Sequence, residues 1–160
     1  MPAGPSLRRD STVIDRSEAA EAVRVARARR AVTWQELADA MGRPLVWATA
    51  ALLGSHPLTS PEARAAEVLL DLEPSVVEAL QLPPMRDTGR SGSSPVDPTV
   101  HRFHEVIGLY GPALRELIHE QCGDGIMSAV DFRLDMRRVP DPAGDRVVIV
   151  LDGKFLAYRW

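Results

Sequence analysis

At 160 residues and 45% hydrophobic content, the chain is sized for one domain or two small ones and has an ordinary globular composition. A net charge of −3 gives no reason to expect a nucleic-acid partner, and no apolar run approaches the length of a membrane span. The single cysteine excludes an internal disulfide and fits a reducing cytoplasm.

Residues 1–16 are polar, contain no apolar core of signal-peptide length, and read as a disordered lead-in. Ser17 is placed to cap a first helix through Ala19, Ala20, Val23 and Ala26, with Arg24 to Arg30 toward its C-terminal end. Thr33-Trp34-Gln35-Glu36 has capping-box spacing and predicts a second helix over Trp34 to Met41, stopped by Gly42. Pro44 opens a third helix through Leu53, Ser60-Pro61 a fourth to Leu70, and Pro74 a fifth ending near Leu82. Residues 17–82 thus read as an all-α bundle of five short helices.

A helix, a tight turn at Gly42 and a second helix also outline a helix-turn-helix. The would-be recognition helix, Pro44 to Leu53, carries no Arg, Lys, Asn or Gln to reach base edges, and only Arg43 precedes it. Across residues 1–82, nine Arg against eleven Asp or Glu leave a charge of −2. Such a surface suits packing against protein better than reading a groove.

Residues 83–96 are rich in Pro, Gly and Ser and read as a linker. Beyond them, Asp97-Pro98-Thr99 signals a helix entry, and Phe103, Val106, Ile107 and Tyr110 recur at helical spacing. Gly111-Pro112 predicts the end of that helix and the start of another, which Leu114, Leu117, Ile118 and Gln121 carry to Gly123-Asp124-Gly125. A short apolar segment, Ile126 to Val130, follows. Phe132 to Arg137 alternates apolar with charged and predicts a half-buried strand; Asp141 to Asp145 is a turn. Val147 to Leu151 is apolar throughout, so both faces of that strand need covering. A domain of residues 97–160 is marginal for a self-sufficient core, and another copy of the chain is the economical cover.

Asp97-Pro98, Tyr110-Gly111, His119-Glu120, Gly123 to Ala129, Asp131-Phe132 and Leu151-Asp152-Gly153-Lys154 together resemble the cyanase (cyanate hydratase, cyanate lyase) family. A looser similarity runs back through Thr49 to Gly54, so the resemblance covers most of the chain from about Ser17. It implies an α+β fold: a helix-turn-helix-like bundle, then a small α/β domain whose β-hairpin interlaces with a second subunit, five dimers forming a decamer. It implies a lyase that decomposes cyanate with bicarbonate as second substrate, without metal or other cofactor. The family's catalytic Arg, Glu and Ser fall on Arg102, Glu105 and Ser128. His104 stands where the family usually has Tyr, and Pro112-Ala113 where many members have Thr-Thr.

The residues by themselves admit other readings. An Arg–Glu pair three apart on a helix is commonly a solvated pair, and a lone Ser after a turn a local cap. His101, His104, Glu105, His119 and Cys122 include spacings that offer a metal two ligands from each helix. Ser128 with His104 or His119 suggests a hydrolase, though no Gly-x-Ser-x-Gly elbow surrounds the serine. An assembly module without chemistry is the non-enzyme alternative.

Overall fold

A computed structural model describes residues 14–84 and 97–159. The expected lead-in up to residue 13 and the linker from residue 85 to 96 lie outside the described residues. The order of elements is α1 (Arg16–Arg30), α2 (Trp34–Met41), α3 (Leu45–Leu52), α4 (Ser60–Leu70), α5 (Pro74–Gln81), α6 (Pro98–Cys122), β1 (Gly125–Val139) and β2 (Arg146–Ala157). The α+β class is as expected. Contacts gather into two compact units that divide within α6, one ending at Arg115 and the other starting at Glu116.

Local signals account for the bundle. Thr33 and Thr59 each form a capping box, with Glu36 and Glu62 respectively, and Gly42 closes α2 with a left-handed φ of 63°. The start of α1 differs from expectation. Its cap is Asp15, whose carboxylate accepts from the Ser17 and Glu18 amides, while Glu18 accepts from the Asp15 amide. Asp15 wins over Ser17 because it alone has a Glu three residues on to complete the reciprocal pair.

The bundle core is built on Val23, Trp34, Leu37, Thr49, Leu52, Leu70 and Leu80, all fully buried. Residues Ala48 through Leu52 of α3 are buried as well, so this helix is an inner element of its own bundle. A helix apolar around its circumference finds no better place. Its small residues let α2 pack closely against it. Arg16 then ties the bundle's end, donating to the carbonyls of Gly54 at 3.1 Å and His56 at 2.7 Å, and also to Leu82.

The expected break at Gly111-Pro112 does not occur: α6 runs unbroken for 25 residues with Pro112 inside it. An interior proline costs about 3 kcal/mol, but two new helix ends would expose many more backbone groups. Phe103, Ile107, Tyr110, Leu114 and Leu117 also keep alternating steps of four and three across the proline, so one apolar stripe spans it.

The strands are longer than periodicity alone predicts. β1 takes in the Ile126 to Val130 segment, and β2 continues through Asp152-Gly153-Lys154. They pair antiparallel, Leu134 opposite Leu151 and Met136 opposite Ile149, around a turn in which the Asp141 side chain accepts from the Ala143 amide. The hairpin is left largely bare, with Val130 96%, Val147 68% and Leu134 65% exposed.

Candidate active site

The first turn of α6 is set by Asp97, whose carboxylate accepts from the amides of Thr99 at 2.8 Å and Val100 at 3.2 Å. Helical pitch then brings Arg102 and Glu105 side by side. Arg102 Nη1 lies 2.6 Å from Glu105 Oε2, and His101 Nε2 lies 3.5 Å from the other carboxylate oxygen, Oε1. The Arg102 side chain is 74% exposed, leaving most of its donor fork open. The hydrogen bond that Arg102 donates to Glu105, then the carboxylate's charge, raises the Arg102 pKa above its ordinary value, so the cation is permanent.

Ser128 belongs to the other unit and sits at a break in the β1–β2 ladder. Met127 pairs with Phe155 and Phe132 with Gly153, so four residues of β1 bulge out opposite Lys154 alone. The Ser128 hydroxyl, in a residue only 6% exposed, accepts from the amides of Val130 at 3.1 Å and Asp131 at 2.9 Å. With its lone pairs engaged in this way, its own proton is the group left to donate. Gly153 makes the bulge possible. A Cβ there would run into Met127 Cγ and come within 2.5 Å of the Ser128 carbonyl oxygen. Lys154 Nζ lies 3.6 Å from Asp131 Oδ2 at the bulge.

The structure therefore joins Arg102 to Glu105 and places Ser128 on a separate, preshaped turn. The Arg–Glu pair offers a fixed cation steadied by a carboxylate; the bulge offers a hydroxyl donor. Sequence reasoning did not foresee the part Gly153 plays, although a lone glycine inside an apolar strand is the usual mark of a bulge. Nor did it foresee that α6 meets the bundle, where Ser55 and His56 touch Leu109 and Tyr110.

The competing constellations find less support. Among the described residues no three His, Cys, Asp or Glu side chains converge as a metal set, and Cys122 is exposed. The Ser128 hydroxyl accepts from backbone amides of its own turn, as a local cap does. Arg43, the one cation before the would-be recognition helix, lies 2.5 Å from Glu62 and over the Trp47 ring. Of the departures from the family pattern, His104 is exposed on α6 and Ala113 is fully buried.

Comparison with known proteins bears on the family of the chain. Residues 93–160 match the family model of the cyanate lyase C-terminal domain, and residues 16–84 that of the cyanate hydratase N-terminal domain. A cyanate hydratase of Mycobacterium avium is 51% identical over 91% of this chain and 93% of its own length. One from Ralstonia pickettii is 42% identical, over 91% of this chain and 99% of its own length. A crystal structure of cyanase from T. urticae is 31% identical and covers 86% of this chain and 96% of that one, with a TM-score of 0.38. With both domain models matched in order and relatives aligned nearly end to end, this chain belongs to the cyanate lyase family.

Proposed function

We infer that this chain is a cyanase, a carbon–nitrogen lyase that decomposes cyanate with bicarbonate, using Arg102, Glu105 and Ser128. The observation that carries the reading is the match of residues 93–160 to the cyanate lyase C-terminal domain, a range that contains all three residues. Cyanate and bicarbonate are both anions, and at about 4 Å like charges repel by roughly 4 kcal/mol at an effective dielectric near 20. Arg102 offsets that repulsion with a permanent charge and a planar fork shaped for carboxylate-like oxygens. Glu105 holds the fork and assists proton movement, and Ser128 donates to a bound anion.

A bicarbonate oxygen attacks the electrophilic cyanate carbon, and its electron pair forms the new C–O bond while the nitrogen takes a proton. The adduct breaks down to carbon dioxide and carbamate. Carbamate takes a further proton and releases a second carbon dioxide and ammonia. Cyanate, bicarbonate and two protons thus balance as one ammonia and two carbon dioxide. No step calls on a metal or an organic cofactor.

Assembly belongs to the same reading. A lone two-stranded hairpin is marginal in water, and this one leaves apolar side chains on both strands uncovered. A second copy, interlaced through the hairpins, covers them, and dimers associate further into a decamer. The reading places the enzyme in the cytoplasm, with neither nucleic acid nor membrane as a partner; among the described residues no helix is long and apolar enough to cross one.

The test is ammonia release by purified protein supplied with cyanate, with and without bicarbonate. Release that depends on bicarbonate and survives dialysis against a strong chelator is expected. No ammonia with both substrates saturating sinks the reading.

A further inference from the structure

We propose that Ser55 is a positioning residue for the Arg102–Glu105 pair, pinning α6 to the bundle at the weakest stretch of the helix; this rests on the assignment of that pair to cyanate chemistry.

The weakness lies at Gly108, Gly111 and Pro112. Pro112 has no N–H for the Gly108 carbonyl, and its ring crowds that oxygen. Nothing in the packing demands the two glycines. A Cβ at Gly108 would meet no atom within 4 Å, and one at Gly111 would touch Ile107 Cγ2 at an ordinary 3.7 Å. The stretch is soft by composition, about one turn beyond Glu105.

The bundle makes contact at this place. Ser55 Oγ donates to the Leu109 carbonyl at 2.9 Å, one residue past the carbonyl that Pro112 leaves short. Beside it, the His56 ring packs against Tyr110 with centroids 5.6 Å apart. Ser55 is itself held firmly. Its amide donates to the Ala50 carbonyl at 2.9 Å, and Arg16 grips the carbonyls of Gly54 and His56 on either side. The His56 ring stacks on Trp47 at 5.4 Å with the planes 3° from parallel, and Arg43 lies over Trp47 while bonded to Glu62. A rigid arm reaching from α4 and α3 thus ends on the soft turn of α6. Movement there would swing the helix end that carries Arg102 and Glu105, and small misplacements of reacting groups cost rate steeply.

The experiment compares full-length wild type with Ser55→Ala, Ser55→Thr and Ser55→Ala combined with Gly108→Ala. It measures kcat and KM for cyanate, assembled mass, and amide hydrogen exchange over residues 99–108. Ser55→Ala is expected to lower kcat about 3- to 10-fold, the scale of one hydrogen bond. KM and mass should stay near wild type while exchange over 99–108 quickens. Ser55→Thr restores both kcat and exchange, and Gly108→Ala, which stiffens the helix, recovers part of each. Wild-type kcat and exchange in Ser55→Ala overturn the proposal, as does a loss that tracks falling mass or that Ser55→Thr fails to restore. Wild type inactive on cyanate fails the functional reading instead, and the exchange measurement still decides whether Ser55 pins α6.

Discussion

Arg102 is a cation already partnered yet still open. Its bond to Glu105 at 2.6 Å fixes the guanidinium's plane, and three-quarters of the side chain faces solvent. That combination suits the anion-receiving role proposed for it, which asks for a group that does not wander. Arg102→Ala removes the charge and the fork together and should lower kcat/KM by about 100-fold or more, the scale seen when a positioned donor is lost. Arg102→Lys keeps only the charge and should recover little of it. Steady-state ammonia release decides the matter: a lysine variant near wild type would show that the fork is irrelevant. At this scale the sequence was legible for Arg102 and Glu105, because neighbours three apart on a helix meet by geometry alone. It named Ser128 through the family motif and read such a serine as a local cap, but its burial and two amide donors depend on a bulge made by a strand 25 residues further along the chain.

Among the elements, α4 shows how a cap and a buried pair reinforce one another. Burial by itself pushes the Glu62 carboxyl up, but the Thr59 amide, Arg43 and the Thr59 hydroxyl outweigh it and hold the pKa below its ordinary value. A folded-state pKa below the unfolded one adds stability above the ordinary carboxylate range, and that stability is lost as pH falls through the folded value. Glu62→Gln should therefore cost about 1–2 kcal/mol at neutral pH. The gap to wild type should close as the pH drops below the carboxylate range. Urea unfolding of both proteins at pH 7 and pH 3 measures this, and an equal gap at both values would show that the charge does not matter. A capping box made α2 readable from the chain, and prolines in the first turn did the same for α4 and α5, since every signal lies within four residues. The predicted break in α6 shows the converse: Gly111-Pro112 is a local stop, overruled by an apolar stripe that continues in phase beyond it.

For the whole molecule, the feature that stands out is uncovered apolar surface. Val130, Leu134, Met136 and Val147 are each more than half exposed, and Phe103, Val106 and Ile107 of α6 are about half exposed. Apolar surface at this density on a hairpin calls for cover, which the proposed reading assigns to another copy. If sites also draw residues from more than one copy, inactive Arg102→Ala and Ser128→Ala proteins, unfolded and refolded together, form mixed oligomers with some intact sites. Partial activity should then return. A mixture that reaches full assembled mass yet stays inactive would show that each chain supplies a complete site.

The sequence by itself determined the class of the elements, the cap of α2, the proline starts of α4 and α5, the stop at Gly42, and the motif that places the chain in its family. These are codes written within a few residues, where spacing translates directly into contact. Tertiary structure alone decided that α6 survives its proline, that α3 lies inside its own bundle, and that Ser128 is locked into a bulge permitted by Gly153. It also decided that Ser55 and His56 reach the soft turn of α6. Each of these outcomes depends on whether burial elsewhere outweighs a local preference, and that balance is struck only when distant segments meet.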